Sequence, residues 1–360
     1  MTAVSLDEIT PAFLTDSLRG AEAITAAATV TSVDREPVGA GQVGDTYRYT
    51  LTYDHIEPTV PSSVIAKVSA ADEASRAAAM QFELYEREVR FYQQIASKVG
   101  IRTPRCYGAD IDVPAGTFVL LLEDLAPADT VNNLDELNPD HASAALAEAA
   151  GLHAPLWGAP QLGELDWLNF NHAQATVMPT ITLPMFHGFA ARYADSLDQH
   201  VLDLITRLKD HAPAFWTNQQ PPWTVVHGDY RTDNMLFNAR GGADPLVTVD
   251  WQTCGHGPAM TDVAFVLGTG LAPEVREGHE EALVRDYHDR LVSAGVAGYS
   301  FERCWQDYRC YAAYAVFLLV PSAMLVEQTE RGDAMFLTML RRAVAQIQTL
   351  DTEPLLAQEK

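Results

Sequence analysis

The sequence predicts an α+β fold of two lobes, and two observations support this prediction. Strand patterns dominate the first third of the chain around one strongly helical stretch, whereas the remainder is mostly helical in pattern. The chain has 360 residues, of which 48% are hydrophobic, which is enough for a large core. We therefore predict an N-terminal lobe at residues 1–123 and a C-terminal lobe at 124–360, with residues 124–132 as the hinge between them.

The elements of the N-terminal lobe are predicted from short periodic patterns. A helix is expected over residues 6–19, after the capping residue Ser5. Within residues 45–54 aromatic and apolar side chains alternate with polar ones, which is typical of a half-buried strand. One long helix is expected over residues 73–99, where apolar side chains recur near helical spacing. The predicted strands are 29–38, 45–54, 63–70, 106–112 and 116–125.

The C-terminal lobe is predicted to be mainly helical, with a short strand-rich insertion. Helices are expected at 138–157, once or twice within 184–212, and over most of 259–350. Between the apolar runs 223–227 and 235–238 lies a densely polar segment, HGDYRTDN, which we call the polar loop (residues 227–234). We expect its two apolar flanks to pair as a small hairpin that directs the loop side chains toward one cleft.

Charge and composition exclude several classes of protein. The formal net charge is −24 and no cluster of Lys and Arg offsets it, so we expect neither nucleic acid nor an anionic membrane as a partner. The four cysteines form no C-x-x-C pair, which favours reduced thiols. The N-terminus is acidic, and no apolar run reaches the length of a bilayer span. We therefore expect a soluble, cytoplasmic protein.

A glycine-rich segment follows the first predicted strand. Gly39, Gly41 and Gly44 form the pattern G-x-G-x-x-G, which also occurs by chance in plain glycine turns. A dinucleotide-binding fold would need a helix directly after these glycines, but the residues that follow have a strand pattern. A strand, a glycine turn and a second strand form the hairpin that covers nucleotide phosphates in kinases. No P-loop, H-E-x-x-H or G-x-S-x-G pattern occurs in the chain.

Lys67 lies near the end of an apolar strand and needs an anionic partner. The helix that follows offers three carboxylates, and we select Glu88, with Glu86 and Glu83 as reserves. In kinases a strand lysine of this kind contacts the nucleotide phosphates and is held by a helix glutamate.

The polar loop and the aspartate that ends the next apolar run carry the side chains that phosphoryl transfer requires. Asp229 is followed after five residues by Asn234, and Asp250 ends the next apolar run. One carboxylate can accept the proton of a hydroxyl group, and an amide oxygen with a second carboxylate can hold Mg²⁺. The polar loop therefore predicts a catalytic base at Asp229 and magnesium ligands at Asn234 and Asp250.

Several segments together resemble the aminoglycoside phosphotransferase and choline-kinase-like group of small-molecule kinases, and most closely its ecdysteroid-kinase-like and related bacterial branches. The resemblance is carried by VGAGQVGDTY, VIAK, EREVRFY, LLLEDL, LHAPLWG, HGDYRTDN, VDWQ and GPAMTDVAFVL. It implies a protein-kinase-like fold, with an antiparallel sheet and one major helix in the N-terminal lobe. It implies the roles just given for Asp229, Asn234 and Asp250, with Lys67 and Glu88 as the pair that positions the phosphates.

The resemblance also implies roles for the strand before the hinge and for two further residues. Residues 117–125, with Glu123 among them, would hold adenine through their backbone, and Asp262 would anchor the backbone of the polar loop. Arg231 departs from the family pattern, because aminoglycoside kinases often have histidine at that place and protein kinases have lysine. We read Arg231 as a contact of the γ-phosphate, with simple surface exposure as the alternative.

Together these patterns predict an ATP- and Mg²⁺-dependent kinase that phosphorylates a hydroxyl group of a small molecule. One alternative is a metal-dependent phosphohydrolase, with metal ligands at His227, Asp229, Asp250 and His256. Another is a nucleotide-binding regulatory protein without catalysis. The sequence predicts neither the acceptor nor an oligomeric state.

Overall fold

A computed structural model describes residues 5–39, 43–55, 58–169 and 173–357. Its N-terminal part contains a five-stranded antiparallel sheet, and its C-terminal part is mainly helical. The α+β prediction is therefore confirmed. The expected adenine-binding strand and the expected lysine strand are neighbours in this sheet, which brings the hinge beside the predicted phosphate site.

The sheet is assembled in the order β1-β2-β3-β5-β4. On β3 buried and half-buried side chains alternate, as expected for a strand with one face against the core. Lys67 is paired with Thr46 on one side and with Leu120 on the other, so the lysine lies on the central strand. The strands are β1 (Val30–Pro37), β2 (Gly44–Tyr53), β3 (Ser63–Ser69), β4 (Cys106–Asp112) and β5 (Thr117–Glu123).

The predicted helix at residues 6–19 begins later than expected. Leu6–Glu8 form a single 3₁₀ turn, in which the Glu8 carboxylate accepts from the Ser5 backbone N–H at 2.8 Å. Helix α1 (Pro11–Gly20) starts separately, with Thr10 accepting from the Phe13 amide at 3.3 Å. Proline has no N–H to donate and suits the first helical position, so Pro11 starts a new helix and does not extend the turn.

The prediction of one long helix at residues 73–99 is also wrong, because the chain forms two helices there with a break between them. Helix α2 (Glu73–Gln81) ends before Glu83, whose φ of 54° is left-handed, and α3 (Leu84–Arg90) then runs on into a π turn at Phe91–Ile95. The break is stabilised from within, since Arg87 Nη2 donates to the Phe82 carbonyl at 3.1 Å. Periodicity does not reveal such a break, because both helices keep apolar spacing.

The C-terminal part packs around helix α8 (Met260–Gly270), in which every residue is buried. Apolar and small side chains on all sides of α8 allow neighbouring helices to surround it. The helices of this part are α4 (Pro139–His153), α5 (Met178–Arg192), α6 (Gln199–Leu208), α7 (Ala212–Thr217), α8, α9 (Pro273–Ser293), α10 (Phe301–Tyr311), α11 (Tyr314–Leu325) and α12 (Glu330–Thr349), with short helical turns between them and at Glu353–Leu356.

The apolar flanks of the polar loop do not pair with each other, contrary to prediction. Strand β7 (Thr224–Val226) pairs with β10 (Gly255–Gly257), whereas β8 (Met235–Asn238) pairs with β9 (Asp244–Thr248) and with β6 (Asp129–Thr130). The polar loop bonds internally and to a buried carboxylate, so its ends do not need to meet. It therefore bridges two small sheets.

One stretch also differs from the expectation that no apolar run could span a bilayer. Phe301–Leu325, which comprises α10 and α11, is long and apolar enough by composition, and it is the one such stretch among the described residues. In the fold, 67% of its most apolar window is buried against other helices. Core helices of a folded lobe have the same composition.

Candidate active site

Three charged side chains from separate parts of the chain meet in the structure, and we call them the lysine cluster (Lys67, Glu88 and Asp250). Lys67 Nζ lies 2.7 Å from Glu88 Oε2 and 2.7 Å from Asp250 Oδ1. Of the three candidate partners on α2 and α3, Glu88 is the one in contact. Glu86 instead lies 3.5 Å from Arg90, and Glu83 sits at the left-handed break. The fold thus joins a strand lysine, a helix glutamate and the aspartate that follows β9.

Burial and charge act in opposite directions on the lysine cluster. Burial alone would lower the pKa of Lys67, but the two carboxylates outweigh it and raise that pKa. Burial raises the pKa of Glu88 more than the ammonium group lowers it. At Asp250 burial also opposes ionisation, yet Lys67 prevails and the pKa is lowered. The Lys67 ammonium group therefore favours the ionised form of both carboxyl groups, and it outweighs burial at Asp250.

The glycine segment lies above the lysine cluster. Gly44 begins β2, and a Cβ built there would come within 3.6 Å of Lys67 Cε and 3.2 Å of the Val68 carbonyl oxygen. Gly39 has a φ of 75°, in the left-handed region that glycine adopts readily. Tyr85 of α3 donates its hydroxyl to the Val43 carbonyl at 2.5 Å, which ties the turn to the helix. Gly41 lies outside the described residues.

The polar loop is held from below by Asp262, a buried residue of α8. The backbone N–H of His227 donates to Asp262 Oδ2 at 2.7 Å, and that of Gly228 donates to Oδ1 at 2.9 Å. His153 also contacts Oδ2, at 3.2 Å. Gly228 has a φ of 80°, and a Cβ there would lie 2.4 Å from the Thr253 carbonyl oxygen. The loop therefore takes a backbone path that only glycine accommodates at this point.

Asp229 and Asn234 are joined across the polar loop. Asn234 Nδ2 donates to the Asp229 carbonyl at 2.9 Å and lies 3.3 Å from Asp229 Oδ2. Arg231 Nε lies 3.1 Å from the same Oδ2, as an ionic contact and not as an aligned hydrogen bond. Both donors approach one carboxylate oxygen. The other oxygen, Oδ1, is therefore the one that an incoming hydroxyl group could contact.

The donor set fits a hard divalent cation. The amide nitrogen of Asn234 is used by Asp229, so the amide oxygen remains as a ligand. The Val249 amide donates to the Asn234 carbonyl at 3.0 Å, which brings the residue before Asp250 beside Asn234. Asp250 is 28% exposed and has a left-handed φ of 67°, with a lowered pKa. An amide oxygen and an ionised carboxylate at one edge of a cleft suit Mg²⁺.

Glu123, expected at the nucleotide, has partners in the segment before β4. Its carboxylate accepts from Arg102 Nη2 at 2.9 Å, and its amide donates to the Arg105 carbonyl at 2.8 Å. Asp124, the next residue, faces the sheet, where Arg48 Nε lies 2.6 Å away. Successive residues of a strand point in opposite directions, so the end of β5 is bound on both faces. The Glu123 side chain and amide are thus already engaged within the protein.

Arg231 and the segment after Asp250 have contacts that motif spacing did not indicate. Arg231 Nη1 lies 3.4 Å from the Met335 sulfur on α12, far along the sequence. Gln252 Nε2 donates to Asp250 Oδ2 at 3.2 Å. The Trp251 ring stacks on Phe91, the first residue after α3, with ring centroids 3.8 Å apart. Gln252 and Trp251 belong to the VDWQ segment of the resemblance, whereas nothing local in the sequence marks Met335.

The four ligands of the alternative phosphohydrolase site are not assembled. His227 Nε2 lies 3.0 Å from the Val249 carbonyl oxygen, and His256 Nδ1 lies 2.9 Å from Asn169 Oδ1. Across the described part of the chain, no group of three or more His, Cys, Asp or Glu side chains is arranged to hold a metal ion. These two histidines act as hydrogen-bonding residues of the fold.

Comparison with solved structures shows where this fold occurs. A choline/ethanolamine kinase family protein from Mesorhizobium loti aligns with a TM-score of 0.51 at 16% identity, covering 96% of this chain and 98% of the other. The GDP complex of wild-type aminoglycoside 2'-phosphotransferase-IIIa aligns with a TM-score of 0.52 at 11% identity, covering 93% and 98%. At such identities the likeness shows the fold alone, which is the protein-kinase-like fold of small-molecule kinases.

The sequence itself matches one family model. No curated protein matches the chain significantly. The model of the ecdysteroid kinase-like family matches residues 39–295, which include the glycine segment, the lysine cluster and the polar loop. The matched range is well over half of the chain, and the resemblance noted in the sequence is thereby confirmed. The chain belongs to the ecdysteroid kinase-like family.

Proposed function

We propose that this protein is an ATP- and Mg²⁺-dependent phosphotransferase that phosphorylates a hydroxyl group of a small molecule. One observation carries the proposal: Lys67 Nζ contacts Glu88 and Asp250 at 2.7 Å each, in the cleft that also holds Asp229 and Asn234. Five side chains from separate segments converge in the arrangement that phosphoryl transfer needs. A protein without catalysis would have no need to keep a catalytic base beside two magnesium ligands.

Each residue has a role that follows from its chemistry. Lys67 would contact the nucleotide phosphates, with Glu88 holding the ammonium group in place. Asn234 and Asp250 would hold magnesium through oxygen atoms, and the ion would neutralise charge on the phosphates. The hydroxyl oxygen of the acceptor would attack the γ-phosphorus while its proton passes to Asp229, and the bond from that phosphorus to the ADP oxygen would break.

Arg231 would contact both the catalytic base and the phosphoryl group that is transferred. Its contact with Asp229 Oδ2 would fix the base, while the proton of the acceptor passes to Oδ1. A cation at this position can stabilise negative charge that develops on the transferred group. We propose that Arg231 orients Asp229 and then contacts the γ-phosphoryl group.

The acceptor is proposed to be a small molecule because the chain offers little support for a peptide. Only WQTCGHGPAMT separates Asp250 from Asp262, and no A-P-E sequence follows the aspartate. The related folds belong to a choline/ethanolamine kinase family protein and to an aminoglycoside phosphotransferase. Amino alcohols, aminoglycosides and hydroxylated steroids are therefore the first acceptors to test. We further propose that the protein is soluble and cytoplasmic.

The test is an acceptor screen with radiolabelled ATP and purified protein. One pool contains amino alcohols, aminoglycosides, sterols and other alcohols, and the second contains proteins and peptides. Labelling is expected in the first pool, should require magnesium, and should be lost in Asp229→Asn. Labelling of peptides alone would refute the choice of acceptor, and free phosphate as the only product would favour the hydrolase.

A further inference from the structure

Helix α3 and residues 251–254, which we call the post-aspartate segment, pack against each other behind the lysine cluster. Phe91 directly follows α3, and its ring lies parallel to that of Trp251, with centroids 3.8 Å apart and an interplanar angle of 4°. Both side chains are fully buried. Separating α3 from the segment would expose two large aromatic surfaces, and each buries a substantial apolar area.

Arg87 connects the same two elements through polar contacts. Its side chain is 4% exposed, and its guanidinium reaches backbone carbonyls at both ends of the contact. Nη1 lies 3.4 Å from the Cys254 oxygen and 3.5 Å from the Thr253 oxygen, while Nη2 donates to Phe82 at 3.1 Å. The Cys254 sulfur is 3.7 Å from the Arg87 carbonyl oxygen. A buried cation loses much solvation, so these partners are needed to retain it.

The contact lies one residue away from both carboxylates of the lysine cluster. Glu88 directly follows Arg87, and Asp250 directly precedes Trp251. The Trp251 backbone N–H acts to lower the pKa of the Glu88 carboxyl group, so the post-aspartate segment lies beside the helix glutamate. Thr253, in turn, donates its hydroxyl to the His227 carbonyl at 3.0 Å. The post-aspartate segment is therefore bonded to α3 on one side and to the polar loop on the other.

We propose that Arg87 is a positioning residue that couples α3 to the post-aspartate segment, so that Glu88 and Asp250 keep their separation and move as one unit with Lys67. The proposal rests on the proposed kinase function. Protein kinases place the helix glutamate and the metal aspartate separately, and control of activity uses that freedom. Coupling through Arg87 removes this freedom of movement. An outward movement of α3 would therefore not serve as a switch of activity.

Hydrogen exchange of the wild-type chain tests the coupling without any acceptor. Amides of residues 84–95 and 251–254 are compared with and without magnesium and a non-hydrolysable ATP analogue. Coupling predicts that the two segments are already protected together, and that the analogue changes both by a similar factor. Protection that rises in residues 84–95 alone would mean that α3 closes independently, and would overturn the proposal.

Variants separate positioning from simple stability. Arg87→Met is expected to weaken calorimetric binding of the magnesium–analogue complex about tenfold, and Glu88→Gln should cancel that effect because both act through Lys67. Arg276→Met is the matched control, since Arg276 is fully buried and lies 3.2 Å from Glu280 in the helical part. It should lower Tm and leave affinity unchanged. Additive effects of the first two changes, or a wild-type affinity in Arg87→Met, would contradict the proposal.

Two further outcomes keep the inference distinct from the proposed function. If the wild type binds no magnesium–analogue complex, the proposed function fails, yet exchange still tests the coupling. In that case Arg87→Met must raise exchange in residues 84–95 and 251–254 together, and a rise in one segment only would overturn the coupling. If Arg87→Met does not fold, Arg87→Lys replaces it, because it keeps the charge and loses the fork that reaches two carbonyls.

Discussion

The lysine cluster is built from side-chain charges, whereas the polar loop is built from backbone hydrogen bonds. In the cluster, one ammonium group lies between two carboxylates at 2.7 Å each. In the loop, the buried Asp262 accepts hydrogen bonds from two successive backbone N–H groups. The backbone at Gly228 follows a path that a residue with a side chain could not take. The cluster should therefore respond to changes of charge and of cations. The loop should respond to loss of one buried carboxylate, largely as a matter of folding.

The largest expected effect lies at Asp229 of the polar loop. Asp229→Asn should reduce kcat by roughly two to four orders of magnitude, because a positioned base is lost, while nucleotide binding is retained. Steady-state kinetics and calorimetric binding of an ATP analogue measure the two effects separately. Thermal unfolding controls for the fold. Near-normal turnover in a folded variant would remove Asp229 from the mechanism.

Asp262→Asn tests whether the loop depends on a single carboxylate. The amides of His227 and Gly228 would each lose a charged acceptor, which should lower the free energy of unfolding by about 3 kcal/mol. Urea denaturation measures this change. The control is Asp286→Asn, because Asp286 is exposed and pairs with Arg290 at 2.8 Å, and it should change stability by less than about 0.5 kcal/mol. Equal stability of both variants would mean that other contacts hold the loop.

Removal of the expected magnesium ligands should affect the cluster side of the cleft. Asn234→Ala and Asp250→Ala should each raise the magnesium concentration needed for nucleotide binding by about 10- to 100-fold. ATP-analogue titrations at several magnesium concentrations measure the requirement. Lys67→Ala should weaken phosphate binding even when magnesium is saturating, since the lysine is no metal ligand. If the titration curves of Asn234→Ala and Asp250→Ala superimpose on that of the wild type, the metal binds elsewhere.

The smallest effect is expected at the hinge, where Asp124 contacts Arg48 and Ser63. Burial opposes ionisation of Asp124, but these donors prevail and its pKa is lowered. A lowered folded-state pKa stabilises the fold above the unfolded value, near pH 4, and that stability is lost as pH falls through the folded value. The contribution should be about 1 kcal/mol. Urea unfolding at pH values from 6 down to 3, in steps of about one pH unit, measures this contribution to stability.

Asp124→Asn provides the comparison for the hinge. This variant should be less stable than the wild type at pH 6, and the two should converge as the pH falls. Arg48→Met, which removes the main donor, should flatten the same pH dependence. A constant difference between wild type and Asp124→Asn over the whole range would contradict the assignment.

The sequence predicted the fold class and most strands because their patterns are local. The alternating burial on β3 and the apolar run of β5 are readable over seven residues each. Lys67, Glu88, Asp229, Asn234 and Asp250 were all selected from spacing and resemblance, and the fold brings them into one cleft. Their roles remain predictions. The break at Glu83 was missed because a left-handed residue between two helices leaves no periodic signal.

What the sequence determined by itself was the set of local elements and the chemical types of the site residues, since backbone period and residue chemistry are local properties. Only the tertiary structure decided which partners these residues meet. It paired β7 with β10 and not with β8, and it turned Glu123 toward Arg102. It also buried Arg87 between α3 and the post-aspartate segment. The Arg87 contact joins residues 167 positions apart, and such contacts form because buried charges and amides must find partners wherever packing brings them.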